Sequence, residues 1–390
     1  MSRFHVLVNA GNVTARGPRA LVLSLLPALV EHTSQISFTL LLPDEEDYRK
    51  LSLPSNAAAL FTASARGVNN DLQRLKQLNW DIPRLARRVR ADVCLTLGDL
   101  APLDVGCPQV VFLHTPYLVY TQQELRGASW PLLKRLYLTR HFAATARRAA
   151  AIVVQTPVMA ERLARRYAVD ARRIVEIQQP VPDHVVRLFA DAQPHSQIAA
   201  CGISVRLLFL AAYYPHKNHR ILPAVARELR NRRMADRVHI FVNLEETQSA
   251  SAALRRQLEE YPDVITNLKK LSWQEVAEAW KASTALFLPT LAESYGLVYL
   301  EAMACGLPIL TSDRDFAHWM CQDLARYFDP HDAASMVDAI LDLPHEEDLP
   351  DYRQSSQRRL GQLPQGWDEV AASFLAVLQQ AALERPDGNR

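Results

Sequence analysis

Two carboxylates eight residues apart, Glu293 and Glu301, frame Gly296 in the run 287–313, FLPTLAESYGLVYLEAMACGLPILTSD. The run reads as strand, loop, helix, tight stop and second strand. A loop that leaves the carboxyl end of a strand and opens a helix at Tyr295–Gly296 presents unpaired backbone N–H groups and the positive end of the helix dipole. That is where an anion binds. Gly296 lets a diphosphate approach the backbone closely, whereas Gly306 followed by Pro308 is a helix-ending signal that asks for no further role. Glu293 lies on the loop before the helix and Glu301 inside it, beside Leu300, Ala302 and Met303. A carboxylate accepts two hydrogen bonds from vicinal hydroxyls, so Glu301 suits a ribose diol and Glu293 a sugar hydroxyl. Taken singly, each would be a solvated acid; the glycine-opened helix between them turns the reading toward a ligand site. Lys217 follows a strand and precedes a helix for which Asn218 is the expected N-cap, so its ammonium group reaches a diphosphate at that sheet edge. No side chain is an obvious nucleophile and no acidic DxD-type pattern sits in a metal-binding setting, so no metal and no cofactor are expected.

The segment Glu293–Asp313 resembles the donor-binding signature of the retaining glycosyltransferases of family 4. His216, Lys217, Asn218 and His219, the VVQTP run from Val153 and the YFDP run from Tyr327 fall in that family's order. The resemblance is close over most of the C-terminal half and loose over the N-terminal half. It implies an α/β chain of GT-B architecture, with two Rossmann-like domains facing across a cleft. It also implies transfer of a sugar, with retention, from a nucleoside-diphosphate sugar to a glycan or lipid-linked acceptor in cell-surface polysaccharide or lipopolysaccharide synthesis. By the same resemblance Glu301 holds the nucleotide ribose, Glu293 the donor sugar, and the backbone of Ser294, Tyr295, Gly296 and Leu297 the diphosphate and sugar hydroxyls. His114, at the end of a strand, takes the place of a histidine whose main chain or ring touches the donor sugar near the anomeric carbon. Gly11 and Arg16 match the position of the family's glycine-containing loop, although an ordinary turn also explains Gly11.

One departure bears on mechanism. Similar enzymes usually also keep an arginine a few residues before the lysine, just after the strand, and here Ala211, Ala212 and Tyr213 stand in its place. Arg206 sits at the wrong end of the strand, so His216, His219 or Arg220 is the better substitute. Lys217 and the helix N-terminus are expected to stabilise the leaving group, with His114 and Glu293 beside the reacting centre. The missing arginine keeps open a catalytically weak GT-B nucleotide-sugar-binding subunit. A sugar-nucleotide epimerase is the other alternative, and it would demand further acid/base residues that the sequence does not reveal.

These residues need a scaffold that brings strand ends together. Strand-like runs at Phe4–Asn9, Ile36–Leu42, Ala91–Leu97, Val110–His114 and Ala151–Gln155 alternate with amphipathic stretches at Pro18–Glu31 and Val158–Tyr167. That is βαβ patterning with a parallel sheet. The alternation lapses over about 178–204, a Pro- and polar-rich linker, and restarts. Strands are then expected at Val205–Ala211, Arg237–Asn243, Ala285–Pro289 and Pro308–Thr311, and helices at Asn218–Arg232 and Gly296–Ala304. The expected division is an acceptor-binding domain over 1–182, a nucleotide-sugar-binding domain over 183–365, and a terminal helix in 366–390 returning toward the first domain.

The 390 residues carry a net charge of +2, divided as +9 over residues 1–182 and −7 over the remainder. Eleven basic residues against Glu161 and Asp170 crowd into 126–173, among them Lys134, Arg135, Arg140, Arg147 and Arg148, with Trp130, Leu132, Leu133, Leu136, Tyr137 and Leu138 interleaved. This composition suits an anionic membrane surface or acceptor, or a solvated helix face whose apolar residues point into the core. No nucleic-acid partner is expected. No apolar run reaches the roughly 20 residues of a membrane span, and the N-terminus lacks a secretory pattern, so a cytoplasmic location is expected, with peripheral attachment to the inner face of the membrane as a further option. The five cysteines show no CxxC or CxH spacing and predict neither disulfides nor a zinc site.

Overall fold

Short runs of Val, Ile, Leu and Phe bounded by turn residues form the strands of two parallel sheets, which the computed structural model describes over residues 4–31, 35–63, 74, 76–126, 128 and 130–383. The chain divides into two compact units: Met1–Val119 with Trp130–Pro180 and Pro364–Arg390, and Tyr120–Ser129 with Val181–Leu363.

The first unit holds seven strands in the order β3-β2-β1-β4-β5-β6-β7. They are β1 (Phe4–Asn9), β2 (Ile36–Pro43), β3 (Ala57–Thr62), β4 (Val93–Thr96), β5 (Gln109–Phe112), β6 (Ala151–Val154) and β7 (Ile174–Glu176). Val6, Leu7 and Val8 are all buried, because helices cover both faces of such a sheet and apolar/polar alternation is lost. The helices Arg16–Glu31 and Trp367–Leu383 pack on each other over one face, burying Leu21, Leu25 and Leu29 of the first and Val370, Phe374 and Leu378 of the second. Phe374 meets Phe112 of β5 edge-on at 5.5 Å.

The basic helix spans Leu132–Arg148 and buries Leu138, His141, Phe142, Thr145 and Ala146. His141 Nε2 bonds the Ala101 carbonyl at 2.9 Å. The alternative in which the interleaved apolar residues face the core holds for Leu138 and fails for its first turns: Leu132, Leu136 and Tyr137 are exposed and Leu133 is 81% exposed. Among the described residues no helix is long and apolar enough to cross a membrane. All five cysteines are free thiols.

The second unit holds six strands in the order β10-β9-β8-β11-β12-β13. They are β8 (Val205–Phe209), β9 (Val238–Val242), β10 (Ile265–Asn267), β11 (Ala285–Leu288), β12 (Ile309–Ser312) and β13 (Ala325–Phe328). The order reverses between β8 and β11, the switch point at whose carboxyl edge parallel α/β sheets bind ligands. One expected element is corrected here. Asn218 does not cap a helix: it adopts φ 61°, gives no side-chain cap, and donates Nδ2 to the Pro330 carbonyl at 2.7 Å. The segment expected as one helix from Asn218 is a 3-10 turn over His219–Ile221 followed by an α-helix over Leu222–Asn231, because Pro223 has no N–H to give and fits only in the first helical turn.

Candidate active site

Both sides of the β8/β11 switch point send a charged residue to the same place. Lys217, on the 3-10 turn Pro215–Lys217 after β8, brings its Nζ within 2.6 Å of Glu293 Oε1 on the loop after β11. Two bonds to one carbonyl stitch these loops together: the His216 oxygen accepts from the Leu291 N–H at 2.7 Å and from Thr290 Oγ1 at 3.0 Å. Glu293 is buried, so the pair is a fixed local dipole and not a loose surface contact.

Directly after Glu293 the chain passes Ser294 and Tyr295 and turns at Gly296 into the Leu297–Ala304 helix. Gly296 has φ 84°, and a Cβ there would lie 2.6 Å from the Tyr299 ring, so glycine is required on two independent grounds. No side chain caps this helix, so its first N–H groups have no side-chain acceptor at this end. The helix is held in register by the buried Tyr299 hydroxyl, 2.7 Å from Thr311 Oγ1, which itself donates to the Leu288 carbonyl at 3.0 Å. Its far end closes on Gly306 at φ 67°, with the Leu307 N–H bonded to the Ala302 carbonyl at 2.9 Å. Glu301 is buried on this helix and accepts from Trp280 Nε1 at 3.2 Å, so one oxygen is fixed by an indole.

Where the arginine of similar enzymes is absent, the backbone is locked instead. The Ala211 N–H donates to Asn243 Oδ1 at 2.9 Å, and the Ala211 carbonyl lies 3.2 Å from His219 Nε2. His219 is buried and stacked on Phe209 at 4.2 Å; burial pushes its pKa down to about 3. Burial, with the Lys217 charge and His219 adding to it, also holds His216 well below the usual histidine range. Burial thus favours the neutral form of both rings, which counts against either replacing the missing cation. Arg220 stays near the surface, with its Nε 3.4 Å from the Tyr213 hydroxyl.

In the first unit, His114 stands two residues beyond β5. Its Nε2 lies 2.9 Å from the Leu97 carbonyl, and its Nδ1 lies 3.6 Å from Asp99 Oδ1. The same Asp99 oxygen accepts the N–H groups of His114 and Thr115 at 2.9 and 3.0 Å. The ring nitrogens and the main-chain N–H of His114 are thus all turned to Leu97 and Asp99. The only trace of Asp99 in the sequence is the Gly98-Asp99 pair shortly after a strand; in the fold Asp99 adopts φ 54°. Gly11 is small because a Cβ there would meet the Thr62 methyl at 2.9 Å, and Arg16 is the first residue of its helix.

The description "Glycosyl transferases group 1" matches residues 204–359, and "Glycosyltransferase Family 4" matches 22–184. The chain belongs to this glycosyltransferase family. A D-inositol 3-phosphate glycosyltransferase of Catenulispora acidiphila is 26% identical over 243 residues, 59% of this chain and 56% of that protein. An O-antigen chain mannosyltransferase of Salmonella typhimurium is 27% identical over 146 residues, 37% of this chain and 39% of that protein. The aligned stretches thus span little more than half, or less, of these relatives' lengths. The solved structure of a sucrose-phosphate synthase from Thermosynechococcus elongatus superimposes with a TM-score of 0.70 at 16% identity, covering 97% of this chain and 99% of that one. The chain accordingly has the GT-B fold, and its Lys217, Glu293, Gly296 and Glu301 all lie within the stretch matched by the group 1 description.

Proposed function

We propose that the protein transfers a sugar, with retention and without a metal, from a nucleoside-diphosphate sugar to a glycan or lipid-linked acceptor in cell-surface polysaccharide synthesis. The observation that carries this is the Lys217–Glu293 pair beside an uncapped helix N-terminus, with the buried Glu301 on the second turn of that helix. In this reading the bond between the anomeric carbon and the diphosphate oxygen breaks, and its electron pair leaves with the diphosphate. Lys217 and the helix N–H groups stabilise that charge. The acceptor oxygen bonds to the anomeric carbon on the same face, and its proton passes to the departing phosphate oxygen. Glu301 holds the ribose diol and Glu293 a hydroxyl of the moving sugar. The Salmonella relative's O-antigen chain supports a polysaccharide acceptor.

The exposed Leu132, Leu133, Leu136 and Tyr137 beside Lys134 and Arg135 support peripheral docking on an anionic lipid surface at the cytoplasmic side. The neutral His216 and His219 favour a second reading, a donor-binding subunit with weak turnover. One assay separates the two. Incubation with UDP-, GDP- and ADP-sugars in excess EDTA, with and without lipid-linked glycan, is expected to release nucleoside diphosphate and to give a product with the donor's anomeric configuration by NMR. Donor binding without release supports the subunit reading. Activity that returns only on adding metal removes the metal-free mechanism.

A further inference from the structure

The carboxyl edge of the second sheet carries another cationic centre, apart from Lys217. Arg314 follows β12 and His331 follows β13, strands paired through Ser312 and Phe328, so their loops are neighbours. Arg314 Nη2 lies 3.2 Å from His331 Nε2. The acids around them are committed elsewhere. Asp313 Oδ1 meets His318 Nε2 at 2.6 Å, Asp329 Oδ1 accepts the His331 N–H at 2.9 Å, and Asp315 Oδ1 accepts the Tyr120 hydroxyl at 3.1 Å. Among the described residues no carboxylate forms an ion pair with Arg314 or Arg126. Arg314 Nε is out of water with no hydrogen-bond partner. Burial, then Arg126, then Arg314 lower the His331 pKa, with Asp329 opposing, so both guanidinium charges act on this one ring.

A guanidinium whose one side-chain partner is a neutral imidazole keeps a fork of N–H donors shaped for two phosphate oxygens. Nothing in the fold requires it there, since a buried N–H without a partner opposes folding. The centre also adjoins the donor site: Asn218, next to Lys217, bonds the carbonyl of Pro330, next to His331. The diphosphate of a donor already has Lys217 and the Gly296 helix opening, so a second phosphorylated substrate is what remains to be held.

We propose that Arg314, oriented by His331 and reinforced by Arg126, binds a phosphoryl group of the acceptor, at a site separate from the donor diphosphate. The identity of the ligand as acceptor rests on the transferase reading; the anion site does not. The phosphoryl group belongs either to a soluble sugar phosphate or to a lipid-linked diphosphate. Calorimetric titration of inorganic pyrophosphate is expected to show two sites in the wild type. Arg314→Ala loses one of them, with at least a tenfold weakening, about 1.4 kcal/mol, and Lys217→Ala loses the other. Two intact sites in Arg314→Ala overturn the proposal, as does loss of both. If Lys217→Ala changes nothing while Arg314→Ala loses a site, the donor assignment fails and this one stands. Should Arg314→Ala not fold, Arg126→Ala is expected to weaken the same site about threefold, a lost through-space charge, and no change there counts against the proposal. Glucose 6-phosphate and vesicles carrying a polyprenyl diphosphate are then compared: the one whose binding falls in Arg314→Ala identifies the source, and a fall in neither overturns the acceptor assignment.

Discussion

Glu293→Gln keeps the shape of the side chain, removes its charge and releases Lys217. The two atoms stand 2.6 Å apart with side chains 8% and 18% exposed. At an effective dielectric of about 20 the bare attraction is about 6 kcal/mol, and desolvation offsets most of it. The partners are not equivalent: Lys217, on a flexible stem, can turn its ammonium group to water, whereas an orphaned Glu293 stays buried. Lys217→Met is therefore expected to cost about 3 kcal/mol of folding stability and Glu293→Gln about 1 kcal/mol, by the general cost of breaking a buried pair and a hydrogen bond. Urea denaturation of both single variants and the double variant should show the double about 1–2 kcal/mol less destabilised than the sum. Ligand binding should run the other way. A nucleoside diphosphate brings negative charge to Lys217, and Glu293 repels it. Glu293→Gln should then bind UDP, GDP or ADP about 3–10-fold more tightly while transfer slows, and Lys217→Met at least about tenfold more weakly. If Glu293→Gln weakens nucleotide binding as Lys217→Met does, the carboxylate touches the nucleotide and not the moving sugar. Additive stabilities would mean that the pair contributes nothing in solution.

Glu301→Ala should lower nucleoside-diphosphate affinity by at least about tenfold and leave the Trp280 N–H unmatched, costing about 1–3 kcal/mol; Glu301→Gln, which retains an acceptor, should recover most of the stability but not the affinity. Unchanged affinity in Glu301→Ala would remove the ribose assignment. His219 is neutral and buried when folded and ordinary when unfolded, so the unfolded chain binds more protons below pH 6.5. Stability should thus fall as pH drops from about 6.5 toward 3, by about 1.4 kcal/mol per pH unit from this residue. His219→Gln should flatten the pH dependence of the urea midpoint in that window, and an unaltered slope would show that His219 titrates normally. Co-sedimentation with vesicles rich in anionic lipid should be salt-sensitive and lost in Leu133→Glu with Lys134→Glu; equal binding to neutral vesicles would exclude the docking reading.

The strands that hydrophobic patterning picked out are β1, β2, β4, β5, β6, β8, β9, β11 and β12; those it did not are β3, β7, β10 and β13. These four are the edge strands of their two sheets. An interior strand of a parallel sheet is covered on both faces and reads as an unbroken apolar run, as Val6–Val8 or Leu286–Leu288 do. Edge strands are less covered: β3 is rich in alanine and leaves Leu60 and Phe61 exposed, and β7 is three residues ending in the exposed Glu176. The charged residues at the β8/β11 switch point were legible because Gly296, Glu293 and Glu301 lie close together in sequence. The neutrality of His216 and His219 was not, because it follows from burial by residues far along the chain. Asp99 was missed for a similar reason, since its partners are main-chain N–H groups fifteen and sixteen positions away.

The helix Trp367–Leu383 completes the core of a sheet whose last strand ends at Glu176. On the ribosome, about 190 residues separate the end of that sheet from Trp367, an interval of roughly 10–40 s at ordinary elongation rates. Through that interval the surfaces of Leu25, Leu29 and Phe112 that later receive Phe374 and Leu378 stay open to water, although every strand of the sheet already exists. The unit nearest the N-terminus is then the last to finish folding. A nascent chain stalled before Trp367 would present a greasy groove of its own making, a natural target for chaperones and, where they are short, for aggregation.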